Sequence, residues 1–276
     1  MTEVTSVTSG TSGDEILIRG VSKRFEQKGA GPIQVLDGID ITVAPGEFVC
    51  LLGPSGCGKS TLLNAVAGFS LPSEGSIDVG GRRVTGPGPD RAMVFQEYAL
   101  FPWMTVAQNV AFGLEIRGEP KAVVRKKVEE LLAMLSLGDF RDLFPKDLSG
   151  GMRQRVAIAR VLALDSSTLL MDEPFGALDA LTRRNLQDEL LRLWSDVNKT
   201  ILFVTHGIEE SIYLADRIVV MTYRPGRVKR IVNVTIPRPR DVASPEFNLL
   251  KRELSALVME EQHRHADAEL HRSTAD

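Results

Sequence analysis

The chain has 276 residues, of which 43% are hydrophobic and 25% are charged, and its formal net charge is -3. This composition is that of an ordinary globular protein, and it lacks the basic excess that nucleic-acid binding requires. Apolar runs such as residues 201–204 and 218–221 are four residues long, far short of the roughly 18 needed to span a bilayer. A role at a membrane would therefore have to pass through a partner.

The N-terminal residues 1–13 are rich in Thr, Ser and Gly, without a basic start or an apolar stretch. This pattern predicts a disordered tail rather than a signal peptide, and a cytoplasmic protein. The two cysteines are Cys50 and Cys57. We expect both to be reduced thiols, because a disulfide between them would distort the glycine-rich segment that contains Cys57.

Short apolar runs bounded by Gly, Pro or Asp predict the first strands, at residues 16–18, 39–43, 48–52, 77–79 and 92–95. A helix is predicted after Lys59, and helical periodicity fills residues 105–164. Strands return at 168–171, 201–204 and 217–221, with a helix over 179–197 between the first two. This alternation indicates parallel β-α-β crossovers. The charged sequence after Pro239 predicts a short helix followed by a frayed tail.

A phosphate-binding loop of the pattern GxxxxGK[ST] follows the strand at 48–52, and it consists of Gly53, Pro54, Ser55, Gly56, Cys57, Gly58, Lys59, Ser60 and Thr61. Its glycines let backbone N–H groups surround anions, and the following helix adds its positive N-terminal end. Lys59 is expected to reach the β- and γ-phosphates of a nucleotide, and the Ser60 hydroxyl to ligate magnesium.

Two acidic residues end the apolar strand at 168–171. A strand of this kind delivers their carboxylates to the C-terminal edge of the sheet, where ligands of open α/β folds bind. We predict that Asp172 holds magnesium and that Glu173 orients and polarises the attacking water. Two solvated acids at a strand end are common, but this alternative becomes weak beside a nucleotide loop.

A second helix start occurs at Ser149, Gly150 and Gly151, where a serine N-cap precedes two glycines. Such a helix start is either an anion site or simply a helix cap. In order and spacing, the phosphate loop, this LSGGM segment, the Asp-Glu pair and His206 resemble the ATP-binding cassette (ABC) proteins, which are the ATPase subunits of ABC transporters. The resemblance extends from about residue 16 to residue 236.

The resemblance implies roles for further residues. Phe25 matches the aromatic residue that stacks on adenine, and Gln96 matches the glutamine that contacts magnesium and water. His206 matches the histidine that contacts the γ-phosphate, so Glu173, His206 and Gln96 form the expected catalytic group. Phe25 as a strand-edge core residue and His206 as a structural histidine are the alternatives. The sequence departs from the family pattern at Met152, Gly176 and Gly207. These departures put the tuning of the ATPase in doubt but not its activity, because none of them removes a group to which we assign phosphate or magnesium chemistry.

The implied fold is an α/β P-loop NTPase with a RecA-like mixed sheet, an N-terminal antiparallel β part and an inserted α-helical subdomain. The expected bounds are a tail over 1–13, an ATPase domain over 14–240 and a C-terminal helix with a charged tail over 241–276. Within the ATPase domain the core would take residues 14–96 and 165–240, and the helical subdomain residues 97–164.

The resemblance also implies a homodimer in which Ser149, Gly150, Gly151 and Asp179 of one subunit complete the ATP and Mg2+ site of the other. Two transmembrane permease subunits would hold this dimer at the cytoplasmic face of the inner membrane, and an extracytoplasmic binding protein would supply solute indirectly. The apolar residues within 97–104 would either grip a helix of a membrane subunit or seal the helical subdomain.

Within the family, the sequence looks most like the importers of nitrate, sulfonates and taurine, so we expect an importer ATPase for a small anion. The alternative is a soluble ABC-type ATPase not coupled to transport, as in translation or DNA repair. Those proteins carry tandem cassettes or long coiled coils, which this chain lacks. A P-loop kinase or GTPase would not explain LSGGM and His206, and a regulator without turnover would not explain Glu173.

Overall fold

The computed structural model describes residues 13–27, 30–176 and 178–273. Its strands are β1 (Ile16–Gln27), β2 (Ala30–Val43), β3 (Phe48–Leu52), β4 (Glu74–Val79), β5 (Arg82–Arg83), β6 (Arg91–Val94), β7 (Thr168–Asp172), β8 (Thr200–Thr205), β9 (Arg217–Met221) and β10 (Val228–Asn233). Its α-helices are α1 (Lys59–Ala67), α2 (Val106–Ile116), α3 (Lys121–Met134), α4 (Gly150–Ala163), α5 (Ala180–Val197), α6 (Ile208–Leu214) and α7 (Pro245–Ser273).

A small antiparallel sheet forms the N-terminal part of the fold, with strand order β2-β1-β4-β5. Strand β1 is one of its two inner strands, since Ile16 pairs with Val43 on β2 and with Val79 on β4. The buried face of β1 carries Ile16 and Ile18, and both pack into a core shared with the larger sheet. The predicted N-terminal antiparallel part is therefore present.

The larger sheet has six strands in the order β10-β9-β3-β8-β7-β6. The five strands from β9 to β6 are parallel, and β10 pairs antiparallel with β9. Strand β3 is buried on both faces: Phe48, Cys50 and Leu52 face one hydrophobic core, and Val49 and Leu51 face the other. Such burial explains its continuous apolar sequence. The α/β P-loop NTPase fold is confirmed.

Parallel pairing brings the C-terminal ends of β3, β7 and β8 to the same edge of the larger sheet. Gly53 follows β3, Glu173 follows β7 and His206 follows β8. The three sequence segments predicted to carry chemistry therefore meet because of the strand order, although more than 100 residues separate the first from the second. This is the edge at which open α/β sheets bind ligands.

Helices α2, α3 and α4 lie between β6 and β7 in the chain, and their apolar faces share one core. Helix α2 begins with a capping box, in which the Thr105 side chain accepts from the backbone N–H of Gln108 and the Gln108 side chain accepts from the N–H of Thr105. Helix α4 begins at an N-cap formed by Ser149. Helices thus occupy much of residues 97–164, while the domain bounds themselves stay a prediction.

The C-terminal region differs from the sequence prediction. Helix α7 runs for 29 residues, so the expected short helix with a frayed tail was wrong in length. Its buried Phe247, Leu254 and Val258 pack on the core, and this packing stabilises a helix that its charged sequence alone does not suggest. Strands β5 and β10 were not predicted. The predicted disorder of the N-terminal tail concerns residues outside the described part of the chain, apart from Gly13.

Both cysteines are free and buried, as expected. Burial raises the pKa of the Cys50 thiol well above its usual value, and it also raises the pKa of Cys57. Within the described residues, no helix is long and apolar enough to cross a membrane.

Candidate functional site

The phosphate loop connects β3 to α1 in the way that its glycines require. Gly56 and Gly58 have positive φ angles of 78° and 97°, which other residues adopt only with strain. Lys59 is buried, and its Nζ donates to the carbonyl oxygens of Gly53 at 2.8 Å and of Pro54 at 3.0 Å. The loop therefore folds around the lysine ammonium, which is held where an anionic ligand of the loop would bind.

The acidic pair lies directly beside this loop. Asp172 accepts a hydrogen bond from the Ser60 hydroxyl over 2.9 Å, although 112 residues separate them in the chain. Burial raises the pKa of Asp172, the Ser60 hydrogen bond acts in the opposite direction, and the neighbouring Glu173 raises it further. The Lys59 ammonium lowers it by stabilising the charged carboxylate.

Glu173 has a positive φ of 46°, which is uncommon for a residue with a side chain. Its backbone N–H donates to the carbonyl of Val204 at 3.0 Å, and its carbonyl accepts from Gly176 at 3.1 Å. These two bonds hold the unusual backbone conformation. Strain of this kind costs about 1–3 kcal/mol and is concentrated at functional sites.

His206 contacts the Glu173 side chain directly, since Nδ1 lies 3.1 Å from Oε2. In the tautomer that carries a proton on Nδ1, His206 donates this hydrogen bond to the Glu173 carboxylate. The sequence did not predict the hydrogen bonds that hold the residues on either side of His206. The Thr205 hydroxyl donates to Glu210, Gln187 donates to the same carboxylate at 2.9 Å, and the Gly207 N–H donates to the Thr205 oxygen at 2.8 Å.

One cavity of about 310 Å³ joins these groups. Its lining combines residues of the phosphate loop with the side chains predicted to be catalytic: Ser55, Gly56, Lys59, Ser60, Gln96, Glu173 and His206. Gln96 reaches it from the end of β6 and is exposed to solvent. The arrangement places a cation, a hydroxyl donor, a carboxylate and an imidazole around a space open to the phosphate loop.

The donor set fits magnesium. The Ser60 hydroxyl and the Asp172 carboxylate are hard oxygen donors in contact with each other, and Gln96, whose side chain carries an amide oxygen, lines the cavity that contains Ser60. Burial raises the pKa of Asp172, and a bound cation would favour its charged form. Bound Mg2+ would supply charge neutralisation to a nucleotide's phosphates.

Phe25 lies apart from this cavity, near the end of β1. Its ring is 43% exposed, and the Lys23 ammonium lies 5.1 Å from the ring centroid. An exposed fraction this large argues against the alternative role of Phe25 as a strand-edge core residue. An exposed aromatic side chain of this kind is suited to stacking on a base.

The second helix start faces a different cavity, of about 270 Å³. Ser149 caps α4 by accepting from the Met152 N–H over 3.3 Å, and it lines this cavity together with Gly151 and Asp179. Asp179 caps α5 by accepting from Thr182 at 2.9 Å, and this bond lowers its pKa. The lining of this cavity shares no residue with that of the cavity around Lys59.

Arg183 donates hydrogen bonds to two residues that lie in the sequence between Glu173, which lines the first cavity, and Asp179, which lines the second. Its guanidinium donates to the carbonyl of Phe175 over 3.3 Å and to that of Leu178 over 2.8 Å. These bonds hold the backbone at Phe175 and at Leu178. Sequence reasoning missed this role, because an arginine in the first turns of a helix gives no signal for backbone contacts that precede it.

The apolar residues after Gln96 divide into two groups. The Phe101 ring packs on Phe112, with ring centroids 4.5 Å apart, whereas Trp103 is 70% exposed. Asn109 is fully buried and holds this segment: its amide donates to the carbonyls of Phe101, Met104 and Thr105, and its oxygen accepts from the Phe101 N–H at 2.9 Å. Phe101 therefore belongs to the subdomain core, and Trp103 is presented to solvent.

Comparison with known proteins agrees with this geometry. The sequence pattern of the family described as "ABC transporter" matches residues 36–176. The chain is 47% identical to the aliphatic sulfonates import ATP-binding protein SsuB of Bacillus licheniformis, over 85% of this chain and 91% of that protein. It is 48% identical to the bicarbonate transport ATP-binding protein CmpD of Synechococcus elongatus, over 82% of each chain.

Among solved structures, the fold is similar to a dimeric post-hydrolysis state of the ATP-binding cassette MJ0796 bound to ADP and Pi. The TM-score is 0.73 at 31% sequence identity, over 79% of this chain and 98% of that one. The phosphate loop, the acidic pair and His206 lie together in the fold that this family shares. The chain is therefore an ATP-binding ATPase that belongs to the ABC transporter family.

Proposed function

We propose that this ATPase drives the import of a small anion by closing as a homodimer beneath two transmembrane permease subunits. The observation that carries the proposal is the separation of the two anion-binding helix starts. Lys59 lines one cavity, Ser149 lines another, and the two linings have no residue in common. A single chain thus offers two halves of a phosphate site that it cannot close by itself.

Two copies arranged head to tail would bring these halves together. Ser149, Gly150, Gly151 and Asp179 of one copy would then cover the ATP held by Lys59 of the other. The dimeric arrangement of the similar cassette structure supports this geometry. Closure on ATP and release after hydrolysis would supply the motion that transport needs.

Within each composite site, different residues would bind the nucleotide, activate the water and hold the metal ion. The loop from Gly53 to Thr61 and Lys59 would bind the phosphates, and Phe25 would stack on the adenine. Glu173 would accept a proton from the attacking water. The 3.1 Å contact with His206 would orient the Glu173 carboxylate for this step. His206 would present its other ring nitrogen to the γ-phosphate, and Ser60, Gln96 and Asp172 would hold Mg2+.

The exposed Trp103 supports a membrane partner. Trp103 is 70% exposed although its ring contacts that of Phe101, with centroids 5.7 Å apart, and hydrogen bonds from Asn109 hold its segment in place. An anchored aromatic on a fixed loop is suited to fill a pocket on another protein. This chain would therefore lie at the cytoplasmic face of the inner membrane, attached through permease subunits.

The transported solute is proposed from the relatives. Two proteins almost half identical to this chain are named for aliphatic sulfonates and for bicarbonate, which are both small anions. We propose a substrate of this class, such as an aliphatic sulfonate, taurine, nitrate or bicarbonate, delivered by an extracytoplasmic binding protein.

Uptake of labelled anions tests this function. Cells lacking the gene should lose uptake of one of these anions, the wild-type gene should restore it, and a gene carrying Glu173→Gln should not. The Leu249→Ala variant is a matched control, because Leu249 is a 70% exposed residue on α7, outside both cavities. Unchanged uptake of every anion in the deletion strain would favour the alternative of an ABC ATPase without a transport role.

A further inference from the structure

The loop between β9 and β10, residues 222–227, packs directly against the phosphate loop. Gly226 lies so close that a Cβ atom at this position would be 2.1 Å from the carbonyl oxygen of Cys57. The Gly226 N–H donates to Val35 at 2.8 Å, and its carbonyl accepts from Asp37 at 3.0 Å. Only a glycine permits this approach, and the backbone of the β9–β10 loop is therefore fixed relative to the phosphate loop.

Hydrogen bonds inside the β9–β10 loop make it rigid. The Thr222 hydroxyl donates to the Pro225 carbonyl over 2.9 Å and accepts from the Arg227 N–H over 2.9 Å. The Arg227 guanidinium pairs with Asp37, with Nε donating to Oδ2 at 2.8 Å. A loop anchored at both ends presents its tip in one conformation, and the tip consists of Tyr223 and Arg224.

Arg224 points toward the phosphate loop. Its Nη2 atom lies 3.9 Å from the position that a Cβ atom on Gly56 would take, and Cε2 of Tyr223 lies at the same distance. Arg224 is exposed, and its guanidinium forms no hydrogen bond or ion pair with the residues that the structure describes. It is a cation with five uncommitted donors beside a loop that binds anions.

The C-terminal helix holds the tip of this loop. Glu261 on α7 is 1% exposed, and its Oε2 accepts from the backbone N–H of Tyr223 over 3.0 Å. Its other oxygen accepts from the Lys229 ammonium at 2.7 Å. The residue next to Arg224 in the chain is therefore tied to a buried carboxylate of α7.

Arg224 approaches the phosphate loop from the flank opposite the catalytic residues. Gln96, Glu173 and His206 follow β6, β7 and β8, which all lie on one side of β3, and β9 lies on the other side. In the proposed site, the bond that is hydrolysed would lie near Glu173. A side chain that reaches the phosphate loop from the β9 side would therefore contact the phosphates that remain in ADP.

We propose that Arg224 is a further nucleotide-binding residue, which donates to the non-transferred phosphates of ATP and ADP, and that Glu261 of the C-terminal helix positions it. The inference rests on the proposed role of residues 53–61 as the phosphate site. It assigns the C-terminal helix a part in nucleotide binding, through one buried carboxylate and one loop.

Calorimetric titration of the full-length chain with Mg-ADP and with a non-hydrolysable Mg-ATP analogue tests this inference. Arg224→Ala should weaken both affinities about tenfold, because it removes a charge-assisted hydrogen bond to the phosphates. The ratio of the two affinities should stay unchanged, and Arg224→Lys should lose less. Arg252→Ala, which removes the same charge from the exposed surface of α7, should bind as the wild type does.

Two outcomes overturn the inference: affinities of Arg224→Ala within twofold of those of Arg252→Ala, or a loss confined to the ATP analogue. Lys59→Ala separates this failure from that of the site itself. If Lys59→Ala retains full affinity, the proposed phosphate site is wrong. If Lys59→Ala loses affinity and Arg224→Ala does not, only the role of Arg224 is wrong.

The positioning role of Glu261 requires a double-mutant cycle. Glu261→Gln should weaken Mg-ADP binding in the wild-type background and cause little further weakening in the Arg224→Ala background, because the two residues act through one contact. Additive losses would contradict the positioning role. Thermal unfolding of each variant shows whether a lower affinity reflects only a smaller folded fraction. The variants of the exposed Arg224 test the nucleotide contact independently of Glu261.

Discussion

His206 Nδ1 lies 3.1 Å from Glu173 Oε2, and Glu173 adopts a positive φ of 46°. The two residues follow neighbouring parallel strands, β8 and β7, so their proximity comes from the strand order of the larger sheet. The strained backbone of Glu173 is held by hydrogen bonds to Val204 and Gly176. Side chain and backbone together fix one carboxylate at the edge of the phosphate cavity, as a general base requires.

Glu173→Gln removes this base while leaving the shape of the side chain almost unchanged. We expect the ATPase rate to fall at least 100-fold, because a positioned general base contributes about 10²–10⁴-fold. ATP affinity should remain close to that of the wild type, since Lys59 and the phosphate loop are untouched. Steady-state phosphate release and ATP binding measure the two effects.

The same variant should accumulate as an ATP-loaded dimer, which size-exclusion chromatography with light scattering detects. Glu189→Gln is a suitable control, because Glu189 lies on α5 outside both cavities. Hydrolysis by Glu173→Gln at a rate near that of the wild type would show that another group activates the water.

The separation of Ser149 from Lys59 predicts complementation between two damaged subunits. A heterodimer of a Lys59→Ala subunit and a Ser149→Arg subunit contains one intact composite site and one site that has lost both halves. In a Glu173→Gln background it should retain one ATP per dimer, while each homodimer should retain none. Nucleotide content after affinity purification with two different tags measures this ratio, and an empty heterodimer would contradict shared sites.

Trp103 is predicted to bind a permease subunit. Trp103→Ala should reduce co-purification with the membrane subunits several-fold, because an aromatic anchor at an interface typically contributes about 2 kcal/mol or more. ATP binding by the isolated chain should not change, since Trp103 lines neither cavity. Leu249→Ala is the matched control, because both residues are 70% exposed. Full assembly of Trp103→Ala would leave Trp103 without a role in docking.

The sequence alone predicted those parts of the fold that depend on local pattern. The apolar run at 48–52 is β3, the run at 217–221 is β9, and the helix expected over 179–197 begins after its Asp179 cap. A strand buried on both faces is continuously apolar, so its sequence identifies it. The phosphate loop was found for a similar reason, since its chemistry requires particular residues at fixed spacing.

The parts that were missed depend on contacts distant in sequence. Strand β10 has no regular alternation of polar and apolar residues, and it is an edge strand that pairs only because β9 lies beside it. Helix α7 owes its stability to buried residues such as Phe247, whose partners belong to other elements. Asn109 and Glu261 are single polar residues whose roles exist only once the chain has folded around them.

The raised pKa of Asp172 predicts how stability responds to pH and to magnesium. Because burial makes its pKa higher in the folded protein than the usual 3.8, the folded state binds the proton more tightly. This group therefore favours folding less as the pH rises through its folded pKa, because its carboxylate then becomes charged in a buried position. Asp172→Asn removes that charge and keeps an oxygen that accepts from Ser60.

Without nucleotide or magnesium, Asp172→Asn should accordingly unfold at a higher temperature than the wild type at pH 7, by a few degrees for about 1 kcal/mol. The difference should shrink as the pH is lowered, since the wild-type carboxyl then becomes neutral. With saturating Mg-ATP the order should reverse, because the wild type gains roughly 2.7 kcal/mol at 100 times its Kd and the variant loses this gain. A less stable ligand-free Asp172→Asn at pH 7 would show that the carboxylate stabilises the fold rather than awaiting a cation.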